Sequence, residues 1–279
     1  MAAVHPVPPP AVGAAVGNDH WDPCPDHLWP GRVWRTGSHL VRIADQPNPD
    51  QQRATIKAEV ERSQWLGAEV INSVEVILAV DNWVVSIAPG GRHAQPGHQP
   101  QLHAEPDRLP VALGATLRRL HELDPASCPF TPTWGQVVDE LDEAVESGRL
   151  DPARLRPPYD RYQPERLLEL VRLGRPASDD LVVTHGSSSL SNLFVSTTGS
   201  ESDSEPVSVG VAGLHRLGVA DRHRDLAVVH YQLNEAFGPE AVIGFYEGYG
   251  LTPDLVALDH YIFIDVLTAA LTPIPAHVP

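Results

Sequence analysis

Three side chains with chemistry to offer fall in one short stretch, Val182–Val195, which reads VVTHGSSSLSNLFV. They are His185, Ser187 and Asn192. An imidazole exchanges protons near neutral pH. A serine beside it becomes a nucleophile only when a base activates it. A carboxamide oxygen is a neutral ligand that holds Mg²⁺ poorly by itself. The serine run Gly186-Ser187-Ser188-Ser189 lacks the Gly-x-Ser-x-Gly of a hydrolase elbow, which argues against serine hydrolysis. A second stretch, Val209–Ala227 (VGVAGLHRLGVADRHRDLA), adds His215. With His185 it could form an acid–base pair in a pocket that holds no phosphate.

The two stretches together resemble the active-site motifs of the aminoglycoside phosphotransferases of the 3'-phosphotransferase type, which share the protein-kinase fold. The first family motif is His-Gly-Asp, four residues, then Asn. Here His185, Gly186 and Asn192 match, and Ser187 stands at the catalytic Asp. In the second motif Arg216, Leu217, Gly218, Val219, Ala220, Asp221, Asp225, Leu226 and Ala227 match. Gly213 stands at the metal-binding Asp, and His215 at a family glycine.

The resemblance implies an α+β, bilobal, protein-kinase-like fold, with a small β-rich N-lobe and a larger, mostly helical C-lobe. It implies nucleotide-site positions at Arg42 (a lysine in the family), Glu59 (its ion-pair partner) and Asn192 (a magnesium ligand). It implies antibiotic-binding carboxylates at Asp139, Glu143 and Asp265. Ile87-Ala88-Pro89-Gly90 resembles the lobe linker, where backbone groups bind adenine.

Phosphoryl transfer depends on an oriented hydroxyl and on metal ions that offset developing charge. Ser187 is no base at neutral pH, and Gly213 offers no ligand. Each loss is expected to cost several powers of ten in rate. The expectation is therefore a protein that has lost phosphotransfer, with no resident metal or cofactor although ATP and magnesium belong to the family. Its cleft would serve a small organic molecule, as a non-kinase enzyme of bacterial secondary metabolism (proton transfer, cyclisation or rearrangement). A non-catalytic, pseudokinase-type binding protein with a partner enzyme is the alternative; a residual ATP-dependent aminoglycoside kinase is the third reading.

Composition narrows the partners. The formal charge is −16, which disfavours nucleic acid and anionic membranes. Hydrophobic residues make up 42 %, enough for a real core. No apolar run is long enough to span a bilayer, and the N-terminus lacks the basic region of a signal peptide, so a cytoplasmic location is expected. Cys24 and Cys128 form no CxxC pattern and are expected as reduced thiols. His93, His98 and His103 recur every five residues in a proline-rich loop, a spacing that does not gather them on one metal.

The elements that must position these residues follow in order. Residues 1–28 are Pro/Ala-rich and are expected as a mobile or loosely docked tail, followed by an N-lobe over 29–89 and a C-lobe over 90–279. Gly31–Ala44 alternates as two strands round Thr36-Gly37-Ser38. Asp50–Leu66 reads as a helix carrying Glu59, and two further strands follow. Trp134–Arg149 is an acidic amphipathic helix with Val137, Val138, Leu141 and Val145 inward. An inserted loop, STTGSESDSEP, follows Val195, and three closing helices lead to a tail, TPIPAHVP, expected to reshape the substrate pocket.

Overall fold

The computed structural model describes residues 7–17, 20–24, 29, 31–45, 48–69, 71–90, 92–94, 108–131, 134–175, 180–196, 207–252 and 254–271. Most of the STTGSESDSEP loop, the TPIPAHVP tail, His98 and His103 lie outside them.

Helix α1 (Pro10–Val16) starts on a proline, which presets φ for the first turn. Strands β1 (Asp22–Pro23), β2 (Gly31–Thr36) and β3 (His39–Ala44) follow, then helix α2 (Pro49–Gly67), β4 (Glu75–Val80) and β5 (Trp83–Ile87). The five strands make one antiparallel sheet in the order β1-β2-β3-β5-β4. Asn48 caps α2, its side chain accepting the Asp50 N–H at 2.8 Å. Val12 and Val16, one turn apart on α1, are buried against Trp21, Trp34, Val41, Ile43, Trp83 and Val85. Each such valine contributes about 1.5–3 kcal/mol by leaving water. Of the two forms expected for the tail, mobile or loosely docked, this part takes the docked one, as a helix. Trp21 continues the contact, with its ring edge-on to Trp34 at 6.0 Å and to Trp83 at 6.3 Å.

The rest of the chain supplies β6 (Arg92–His93), α3 (Arg108–His121), α4 (Trp134–Glu146), α5 (Pro164–Leu173), β7 (Leu181–Thr184), β8 (Leu193–Ser196), β9 (Ser208–Val211) and β10 (Gly218–Asp221). Helices α6 (His223–Phe237), α7 (Pro239–Tyr249) and α8 (Leu255–Ala269) close it. The described residues divide into two compact units, one within 1–105 and 189–216, the other within 106–188 and 217–276. The expected boundary after residue 89 is thus crossed by residues 189–216. The reason is hydrogen bonding: β8 pairs with β6 and β9, and the Val74 N–H donates to Val211 O at 3.1 Å. The strand–turn–strand around Ser187 is real, but β7 pairs with β10 in the C-terminal unit while β8 belongs to the N-terminal one.

In the C-terminal unit α3 and α7 touch backbone to backbone. A Cβ on Gly114 would come within 2.0 Å of Phe245 O, and one on Gly248 within 2.0 Å of Val111 O. No helix among the described residues is long and apolar enough to cross a membrane. Gly248→Ala is expected to force α3 and α7 apart and cost about 2 kcal/mol or more. Urea denaturation checks this; an unchanged midpoint would show that the helices can part freely.

Candidate functional site

The turn that bears His185 and Ser187 is built on a carboxylate. Asp225, on α6, is fully buried. Its Oδ2 accepts the His185 backbone N–H at 2.6 Å, and its Oδ1 accepts that of Gly186 at 2.9 Å. Ser188 Oγ donates to the Asp225 carbonyl at 3.0 Å. His121, at the end of α3, bonds Asp225 Oδ2 through Nε2 at 3.0 Å and Tyr249 Oη through Nδ1 at 2.7 Å. Arg222 donates to the same tyrosine oxygen at 3.1 Å and bonds Asp180 at 2.9 Å. Burial pushes the Tyr249 hydroxyl up to about 12. His185 and Ser187 are both buried, and His185 Nδ1 accepts the Ser187 N–H at 3.2 Å. That nitrogen is therefore spent on ordering the turn. His121 has no motif spacing to single it out in sequence; only the chain's return through Asp225 reveals its place.

In the N-terminal unit, Gly213 sits at φ +72°. A Cβ there would lie 2.6 Å from Asn192 Oδ1 and 2.7 Å from its Cγ and Nδ2. The Asn192 carboxamide thus fills the space that a side chain at 213 would need. The Asn192 carbonyl also accepts the Ala212 N–H at 2.9 Å, fixing the two segments side by side.

The expected Arg42–Glu59 ion pair is present, Nη1 to Oε1 3.5 Å, with both side chains buried. That distance gives charge attraction without a good hydrogen bond. The Arg42 guanidinium carbon lies 5.7 Å from the Trp29 ring centroid, and the Trp29 Nε1–H donates to Ile43 O at 2.9 Å. His215 meets the same indole edge-on at 5.0 Å. The structure therefore brings His215 to Trp29 and Arg42 in the N-terminal unit, while His185 belongs to the C-terminal one.

The expected antibiotic-binding carboxylates part company. Asp139 and Glu143 are exposed on α4, whose inward face is Val138, Leu141 and Ala144. Glu143 is 76 % exposed and 3.8 Å from the Arg149 guanidinium. Asp265, on α8, is buried and bound by the Arg156 guanidinium, so it is not an open carboxylate. Sequence gave no sign of this partner.

Burial would raise the Asp225 pKa, but the His121 hydrogen bond, the electrostatic attraction of that ring and the His185 backbone N–H outweigh it and hold the carboxyl below the usual range. A depressed carboxyl stabilises the fold above the unfolded value near 4, and that contribution fades as pH falls through the folded value. Asp225→Asn is expected to cost about 3 kcal/mol at pH 7, with the gap to the wild type narrowing below pH about 4. Urea titrations at the two pH values measure it; equal stability at pH 7 would remove the carboxylate from its central place.

The phosphotransferase enzyme family matches residues 30–261. A streptomycin 3''-kinase of Streptomyces griseus is 32 % identical over 256 residues, spanning 84 % of this chain and 89 % of that one. Aminoglycoside phosphotransferase APH(3'')-Id of Streptomyces rimosus superposes with a TM-score of 0.73 at 26 % identity, covering 92 % of this chain and 96 % of its own. It has also been solved with ADP and streptomycin. A type VIII aminoglycoside 3'-phosphotransferase superposes at 0.70 with 28 % identity, over 85 % and 88 % of the two chains. The motifs round His185 and Asp225, the α+β fold and these likenesses agree, and the chain belongs to the aminoglycoside phosphotransferase family.

Proposed function

We propose that this protein binds an aminoglycoside-class cation without transferring phosphate to it. The observation that carries the reading is the packing of Asn192 onto Gly213. Magnesium held on phosphates calls for hard, anionic oxygen ligands in octahedral order. The chain supplies one neutral carboxamide there, pressed against a residue without a side chain. This donor set does not fit Mg·ATP. Trp29 supports the same reading, since its indole lies against the Arg42 guanidinium that would otherwise meet phosphate.

Relatives supply the ligand class: one is a streptomycin kinase, and one neighbour was solved with streptomycin. The net charge of −16 suits a polycation, and the exposed Asp139 and Glu143 add local negative potential. Non-catalytic binding is favoured over a new acid–base chemistry because His185 Nδ1 is engaged by the Ser187 N–H and His215 packs on Trp29.

Calorimetric titration separates the halves of the reading. Streptomycin is expected to give binding heat; ATP with Mg²⁺ is expected to give none, and no phosphorylated streptomycin should form. Magnesium-dependent transfer by the wild type would overturn the loss of chemistry. Silence towards streptomycin, kanamycin and neomycin would overturn the binding role. Gly213→Asp, alone or with Ser187→Asp, is expected to leave transfer absent. The new side chain must first displace the Asn192 carboxamide, whose atoms lie 2.6–2.7 Å from the Cβ position. Recovery of transfer in the double variant would count against that obstruction.

A further inference from the structure

Strand β4 forms one edge of the five-stranded sheet, and among the described residues it pairs with β5 alone. An edge strand offers a row of backbone N–H and C=O groups to any extended chain that comes alongside. Proteins blunt such edges with lysine or proline. β4 carries neither, and reads Glu75-Val76-Ile77-Leu78-Ala79-Val80. Its one irregularity is at Ile77, where the register steps from Val76↔Ser86 to Leu78↔Val85. A residue passed over in this way is left out of the ladder on its own sheet. The Ile77 side chain is 41 % exposed.

Both faces of the sheet end in half-buried side chains at this strand. Val76 lies at the margin of the apolar cluster that includes Ile56 of α2 and Val84 of β5. Leu78 and Val80 lie at the margin of the cluster that holds Val12 and Val16 of α1. A further strand would close both margins, adding apolar burial to the ladder hydrogen bonds. Charge selects the occupant. Glu75 and Asp81 are exposed at the two ends of the strand, and no lysine or arginine stands between Arg62 and Arg92. A second copy would bring the same acids. Two-fold antiparallel pairing about Leu78 sets Glu75 opposite Asp81 at each end, and like charges directly opposite destabilise a ladder. Each copy also carries a net charge of −16.

We propose that the free edge of β4 is a docking site for an extended segment of another protein, basic at both ends and apolar between. The segment adds a strand to the sheet. Its main chain bonds the β4 edge, its apolar residues cover Ile77 and the two cluster margins, and its basic ends meet Glu75 and Asp81. The ladder supplies affinity without regard to sequence, and the two acids supply the choice of partner.

The test titrates a blocked peptide, Arg-Val-Thr-Val-Thr-Val-Arg, into the full chain by calorimetry, with amide hydrogen exchange followed over residues 75–81. The peptide is expected to bind, to slow exchange in β4, and to bind about ten-fold more tightly than its counterpart with glutamate at both ends. In Glu75→Lys/Asp81→Asn that preference is expected to reverse. Both positions are exposed, and asparagine accepts the φ of +52° at position 81. Should the double variant fail to fold, salt takes its place: the preference of the wild type is expected to vanish at about 1 M salt. Silence towards the arginine peptide overturns the proposal, as does binding that leaves residues 75–81 unprotected. Equal affinity for the two peptides at low salt overturns the choice by charge. A wild type that sediments as a dimer and becomes a monomer on Ile77→Lys also overturns it, because the edge would then belong to a second copy.

Discussion

A carboxylate with no route to water has to be met by donors, or it will not stay charged. Asp225 is such a group, and the C-terminal unit is arranged to meet it. Two backbone N–H groups from the 185–186 turn and the His121 imidazole satisfy its oxygens. His121 leads to Tyr249, and Tyr249 to Arg222, so α3, α6 and α7 all contribute to one chain of polar contacts. The turn is held by two backbone N–H groups, by the Ser188 hydroxyl on the Asp225 carbonyl and by the His185 ring on the Ser187 N–H. None of these bonds uses the Ser187 side chain, so they do not depend on which side chain stands at 187.

Gly213 has a different character. The space a side chain there would need is held by a neighbour, the Asn192 amide, and the backbone stands at φ +72°. Interiors fill voids of this size, since a gap forfeits contacts on every side. The position at 187 is thus vacant of a carboxylate, whereas the position at 213 is obstructed. Restoring one function group in each place is not a symmetric operation.

Much of the fold could be read from residue order alone. The β2–β3 hairpin follows from alternation round Gly37, and the inward face of α4 from a helical period through Val138 and Leu141. The Arg42–Glu59 pair followed from motif position and formed as expected. What escaped was set by contacts between distant residues. Helix α1 hid its docking in a Pro/Ala-rich composition, where two valines a turn apart carry the burial. Arg156 lies in a link with no period, and its partner is 109 positions away, so nothing local marks it. His121 and Asp225 are 104 apart, and only folding shows that they share a proton-bearing contact.

The buried Arg42–Glu59 pair is not by itself a sign of a bound nucleotide, because energetics alone would keep it. A buried ion pair adds little net stability over a well-packed apolar pair, yet removing one partner strands the other charge at about 3–5 kcal/mol. Arg42 is 1 % exposed and Glu59 is 0 %. A single substitution that removes either charge would cross that barrier, whereas a paired change or an exchange of one cation for another avoids it. The pair would persist as a structural necessity whether or not phosphates bind beside it. Trp29 reinforces it by covering the guanidinium with an indole whose N–H is already bonded to Ile43 O. Retention of these two residues is therefore explained by what the N-terminal core cannot lose, and the case for or against a nucleotide rests on Asn192 and Gly213 instead.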